Sequence, residues 1–243
     1  MKILAIDTST QSGGAAVMEG DSVIASVFEQ AHRRGQVSEM PHADEEYSSK
    51  LFRYVDLVLK KAVVSLPAVD IFAVAAGPGS FTGLRVGLAA VKAWSEVYGK
   101  PIAAISGLEA VAAQSSSSSG AIAAFGDARR GQVFGGVFLR IGGGLRRVGE
   151  DVVMSPQEFI AEVAKSVRDV ELSFVSTAPE IMQEALAESA LRDFAVERAS
   201  EDLAPWVGRL AFGSAQRGEL VDALTLDANY VRRMDAELYW KDS

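Results

Sequence analysis

The chain has 243 residues, 49% of them hydrophobic and 23% charged, with a formal net charge of −8. That balance belongs to a folded globular protein long enough for two lobes, and its sign argues against the chain alone gripping nucleic acid or an anionic membrane. Cysteine is absent, which removes disulfides, thiolate metal sites and cysteine nucleophiles and fits a reducing compartment.

Lys2 to Ile6 reads as a buried strand ending at Asp7. This apolar run is too short for a signal peptide, and no run reaches the ~20 residues of a membrane span, so a cytoplasmic protein without a membrane partner is expected. Gly13-Gly14 opens a second strand over 15–18, and Glu19-Gly20-Asp21 turns into a third over 22–28, completing a meander. Residues 29–47 are polar and irregular and read as a mobile loop. A helix follows over 48–64. Leu51, Val55, Val58 and Ala62 make one apolar stripe on it; Phe52, Leu59 and Val63 make a second beside the first. Together they are wider than contact with one sheet requires. A second partner surface is expected, with burial beneath 29–47 as the alternative.

Pro67 breaks the chain before Ile71 to Ala76, a short apolar run that reads as a strand buried on both faces. Gly77-Pro78-Gly79-Ser80-Phe81-Thr82-Gly83 follows, then a helix over 81–98. Pro78 fixes one φ angle, the glycines permit positive φ or close backbone approach, and Ser80 or Thr82 can cap the helix. The turn is either an anion site at a helix N-terminus or a spacer that lets the helix lie close on a sheet. A Walker A loop would need Gly-Lys-Ser/Thr; here Gly83 precedes Leu84-Arg85. Phe81, Leu84, Leu88, Val91 and Tyr98 form one apolar face of the helix. Gly83, Gly87 and Ala90 form a face of small residues that admits a second helix, of this chain or another.

A strand over 101–105 and a helix over 108–114 precede five serines, 115–119, which read as a flexible connection. The lobe boundary is placed there: 1–114 and 115–243, with the last helix and tail from about 205 able to pack back on the first lobe. The pattern then begins again. Strands fall over 121–125, with Asp127 just beyond, over 132–139 and over 145–153. Ser155-Pro156-Gln157-Glu158 is a helix start with cap, first-turn proline and capping-box glutamate. Helix 156–168, strand 172–176, helix 179–190, strand 194–197 and helix 205–217, closed by Gly218, complete the chain. Both halves read strand-Asp, meander, helix, strand, helix, strand, helix, so a duplicated mixed α/β lobe is predicted.

Asp7-Thr8-Ser9-Thr10 and Asp127-Ala128-Arg129-Arg130-Gly131 end the first strand of each half. Two such Asp facing each other across a cleft could position Mg²⁺ while hydroxyls and amides hold phosphate. Alternatively, each Asp caps its own turn. A glycine turn for a nucleobase is missing from Val175-Ser176-Thr177-Ala178-Pro179. His32 and His42 stand in the polar loop without metal-ligand spacing, and no serine elbow occurs. Arg129-Arg130, Arg146-Arg147 and Arg232-Arg233 are either solvated or phosphate contacts.

The blocks Ile6-Asp7-Thr8-Ser9, Gly77 to Gly87, Ser106-Gly107-Leu108-Glu109-Ala110, Asp127 to Gly131 and Tyr230-Val231-Arg232 closely resemble the bacterial TsaB (YeaZ) family along the whole chain. The resemblance implies two actin-like (ASKHA, RNase H-like) lobes. It implies work in forming N6-threonylcarbamoyladenosine (t6A) at adenosine 37 of tRNAs that read ANN codons, by transfer of threonylcarbamoyl from its adenylate. It implies a subunit without catalytic residues or metal ligands of its own. Such a subunit binds its catalytic paralogue TsaD, is joined by TsaE, meets tRNA through the complex, and forms a homodimer or a monomer when alone. ATP with Mg and a metal held by TsaD serve the complex, none of them this chain. Asp7, Thr8, Ser9, Asp127 and Arg129 become a vestigial cleft; Gly77, Pro78, Gly79, Ser80 and Thr82 become a structural turn. Leu51, Phe52, Val55, Val58, Leu59, Gly83, Gly87 and Ala90, on the helices matching the family's dimerisation bundle, become the partner interface. Tyr47-Ser48 stands where the family has His-Ser, and Ala228-Asn229 where it has a late proline. The rival readings are a free-standing ATP-dependent kinase or hydrolase using Asp7 and Asp127, and a metallopeptidase.

Overall fold

The computed structural model describes residues 1–10, 12–29, 47–167 and 170–231, with only the backbone of Tyr47. His32, His42, Arg232-Arg233 and the interior of the expected loop 29–47 lie outside the described residues. The chain forms two compact units: Met1–Ala110 with Ser200–Ala228, and Val111–Ala199 with Asn229–Ser243.

The first unit begins with strands β1 (Lys2–Asp7), β2 (Gly13–Glu19) and β3 (Ser22–Glu29). Helix α1 (Tyr47–Ala62), strand β4 (Ile71–Gly77), helix α2 (Phe81–Tyr98), strand β5 (Ile102–Ser106) and the short helix α3 (Gly107–Ala112) follow. The sheet order is β3-β2-β1-β4-β5. β1 runs antiparallel to β2 and parallel to β4. All of β4 is buried, which explains its unbroken apolar run: helices cover both sheet faces.

Even-numbered residues of β1 and odd-numbered ones point to opposite faces. Leu4, Ile6, Val17, Phe72 and Val74 pack under α1 and α2 through Leu51, Val55, Val58, Leu84 and Trp94. The Phe72 ring lies 5.6 Å from Trp94 and 6.3 Å from Tyr98; burying one such ring contributes about 1.5–3 kcal/mol.

The second unit holds β6 (Gly120–Arg129), β7 (Gln132–Ile141), β8 (Gly144–Met154), α4 (Pro156–Ser166), β9 (Leu172–Ser176), α5 (Gln183–Ala187) and β10 (Val196–Arg198). Its order, β10-β9-β6-β7-β8, repeats the first: an antiparallel meander, then two parallel strands beyond its first member. This is the duplicated mixed α/β lobe that the sequence pattern predicted. The core gathers Phe125, Val133, Phe159, Phe174 and Met182. Gly135 in β7 makes room for the Phe159 ring, which a Cβ would strike. α4 starts with the expected Ser155–Glu158 capping box.

The chain then returns to the first unit with α6 (Ala204–Arg217), closed by Gly218 at φ 74°. Ala204, Val207 and Ala211 cover Ile3, Ala5, Ala16, Met18 and Ala73. Small side chains on this face draw the helix close, and a Cβ at Gly208 would press on Met18.

Two expectations change. The helix over 179–190 shrinks to one 3-10 turn, Pro179–Ile181, and α5. Ser189 Oγ donates to the Leu186 carbonyl and accepts from Leu191 N, a local alternative to further helix. The five-serine run is fastened rather than loose: Ser115 Oγ and Ser116 N donate to Glu197, and Ser119 Oγ to Glu171.

Candidate functional site

The end of β1 and the glycine turn before α2 are joined in the first unit. Thr8 Oγ1 donates to the Gly83 carbonyl at 2.7 Å, and Ser80 N donates to the Ser9 carbonyl at 2.6 Å. Gly79 has to be glycine: a Cβ there would fall 2.8 Å from Ser9 Cβ. Gly77 has φ 118°, where side chains are rarely accommodated. Ser80, not Thr82, caps α2, accepting from Gly83 N. The turn therefore spends Ser80 N and Gly83 N on its own chain, which is the spacer reading.

Asp7 is buried. Its Oδ1 accepts from both Ser9 N, at 2.8 Å, and Ser9 Oγ, at 2.6 Å, while its Oδ2 has no partner among the described residues. Burial pushes the Asp7 carboxyl above its ordinary value, and the two Ser9 bonds pull part of that back. Thr8 and Ser9 thus use on the fold the hydroxyls that a phosphate would need.

Asp127 has a different setting in the second unit. It is exposed, accepts from Arg129 N at 2.7 Å, and pairs with the Arg129 guanidinium at 3.1 Å. Arg129 pairs with Gln132 across the hairpin, leaving Arg130-Gly131 as a two-residue loop. Arg129, Arg130 and Gly131 all have positive φ, 63°, 55° and 72°. Of the other arginine pairs, Arg147 is engaged with the buried Asp151 and lies over the Phe138 ring.

The expected partner residues divide. Leu51, Val55 and Val58 are core. Gly83, Gly87 and Ala90 are buried in their own unit, and a Cβ at Gly87 would collide with Thr8 Oγ1 and touch Val74. This corrects their placement on a partner face: small residues here let α2 approach β1 and β4. Leu59 packs at the edge of the core. Phe52 is 58% exposed and Val63 is 92% exposed. α2 lies beside α1 and turns Arg85, Ala89, Ala93 and Val97 outward.

Sequence reasoning passed over three acidic residues, each of which is engaged within its own unit. Glu29 receives Arg53, Tyr54 and Lys50 from α1; burial alone would raise its carboxyl, but the bonds from Arg53 and Tyr54, with the charge of Lys50, hold it below the ordinary value. Asp151 accepts from Asn229 Nδ2 at 2.7 Å, tying the segment after α6 to β8 where a proline was expected from the resemblance. Asp202, just before α6, is pushed up to about 6 by burial; the Ser26 hydroxyl lowers it and the neighbouring Asp7 raises it. None sits in a periodic pattern, so only the fold brings them to notice. Among the described residues no group of three or more His, Cys, Asp or Glu is placed to hold a metal, and no helix is long and apolar enough to cross a membrane.

The family model for TsaD, tRNA N6-adenosine threonylcarbamoyltransferase, matches residues 34–212. The tRNA threonylcarbamoyladenosine biosynthesis protein TsaB of Bacillus subtilis (strain 168) is 29% identical over 243 residues, covering 100% of this chain and 99% of that protein. The tRNA N6-adenosine threonylcarbamoyltransferase of Rhizobium etli is 37% identical over 119 residues, which span 45% of this chain but only 32% of that enzyme. Among solved structures, YeaZ from Pseudomonas aeruginosa superposes with a TM-score of 0.75 at 26% identity, over 94% of this chain and 99% of that one.

Proposed function

Since the chain belongs to the tRNA N6-adenosine threonylcarbamoyltransferase family, and within it to the TsaB (YeaZ) proteins, we propose that it is the non-catalytic partner subunit in t6A formation. It binds and organises TsaD, with TsaE as the third component, and meets tRNA through that assembly. ATP with Mg and the reaction's metal belong to the complex. When isolated, the same surface pairs two copies of the chain.

One observation carries this reading: in the second apolar stripe of α1 Leu59 packs at the edge of the core, while Phe52 and Val63 stand exposed. Phe52, 58% exposed in the middle of a regular helix, is a large ring left in water, and such a residue beside a neighbouring helix surface is the anchor of a helix–helix interface. The state of the Asp7 loop supports the same view from the other side. Its hydroxyls are bonded within the fold, so it is poorly furnished for phosphate chemistry.

Phe52→Glu and Ala93→Arg change the outward faces of α1 and α2 without touching the core. Both variants are expected to keep the parental melting temperature and to lose co-purification with TsaD. Undiminished capture of TsaD by either variant removes the proposal. Gly87 is unsuited to this test, because enlarging it breaks the fold of its own unit.

A further inference from the structure

We propose that Asp7 and Asp202 together hold a hydrated divalent cation inside the first unit, between the end of β1 and the start of α6. Gly14 is the antiparallel partner of Asp7 across β1 and β2. Directly opposed residues carry their Cβ positions on one face, about 4.5–5.5 Å apart. Asp202 Oδ1 lies 3.4 Å from the Cβ position at Gly14. The face is the one α6 covers, since Asp7 continues the series Ile3 and Ala5, whose side chains pack under α6. Asp202 therefore leans over the spot toward which Asp7 points.

Both carboxylates have an oxygen to spare there. Asp7 Oδ2 and Asp202 Oδ1 are buried without a hydrogen-bond partner among the described residues. Asp7 itself is 1% exposed. Around them stand the Ser26 hydroxyl, the Ala204 amide and Ser9, and neither carboxylate has an ion-pair partner among the described residues. Glu201 next door accepts from Ser12 Oγ at 2.7 Å. A buried and a half-buried acid group close together, each with a buried oxygen lacking a partner among the described residues, are unfavourable unless a positive charge joins them. A hard cation with two carboxylate ligands keeps most of its water, which is the habit of Mg²⁺ and its analogue Mn²⁺. The ion uses no histidine and no group of the second unit. It ties the β1 end to the α6 start and has no part in a reaction.

The test uses the full chain stripped with a chelator. Millimolar Mg²⁺ or Mn²⁺ is expected to raise its melting temperature at neutral to alkaline pH, with one ion bound per chain by titration calorimetry. Asp202→Asn should weaken that binding by at least about tenfold, yet melt no lower than the parent in chelator, because a buried like-charge contact is gone. Asp127→Asn should bind the cation as the parent does. If neither cation binds or stabilises, a proton alone sits between the two groups and the proposal fails. It also fails if Asp202→Asn binds as tightly as the parent or melts well below it in chelator, or if Asp127→Asn abolishes binding.

Discussion

The two units share a strand order and differ at the aspartate near the end of the first strand of each. Asp7 is buried and bonded to Ser9, in a loop fastened to α2 by Thr8 and Ser80. Asp127 is exposed and closes its own hairpin with Arg129. The repeat preserved the hydrophobic layers, which any sequence of the right pattern can supply. It did not preserve the polar contacts, which need particular neighbours. The first unit invests Asp7 in its architecture; the second leaves Asp127 to the turn.

Substitutions at matched places measure that difference. The largest effect is expected from Gly87→Val, which drives a branched side chain into Thr8 and Val74. Overpacking of this kind should cost about 3 kcal/mol or leave the first unit unfolded, read from the urea midpoint. Asp7→Ala strips both acceptor bonds from Ser9 and is expected to cost about 1–3 kcal/mol, whereas Asp127→Ala should stay within about 0.5 kcal/mol. Equal losses for these two would erase the contrast.

Acid–base behaviour sharpens it. The proton on Asp202 is held more tightly in the folded chain, up to about 6 against an ordinary 3.8. A raised carboxyl contributes stability below the unfolded value and loses it as pH climbs through the folded one. Chelator-treated protein should therefore lose stability between about pH 4 and about pH 6 from this group, and Asp202→Asn should remove that slope in denaturation curves. The smallest effect belongs to the second unit. Arg130→Asn puts Asn-Gly into a loop with positive φ at both positions, and a gain of up to about 1 kcal/mol is expected in the melting curve.

The sequence displayed much of this fold. Helix 81–98 and strand 172–176 have the predicted limits, because a capping serine, a left-handed glycine and an apolar run act locally. The duplicated order was equally visible. Less of the site could be read. Gly83, Gly87 and Ala90 announced a close approach but not its direction, and only the position of Thr8, far off in the chain, shows that they face inward. Asp202 carried no local signal, since its partner Asp7 stands almost two hundred residues earlier and is met only once the sheet forms. Phe52 was legible as a surplus apolar side chain on a helix already amphipathic without it.

The first unit's sheet is built from residues near the start of the chain, but the helix over its lower face, α6, arrives only with residues 204–217. During synthesis Ile3, Ala5, Ala16 and Ala73 must wait, uncovered, while residues 111–199 of the second unit leave the ribosome. The inserted unit can fold while its host is still half-clothed, and a nascent chain paused before α6 would be a natural client for a chaperone.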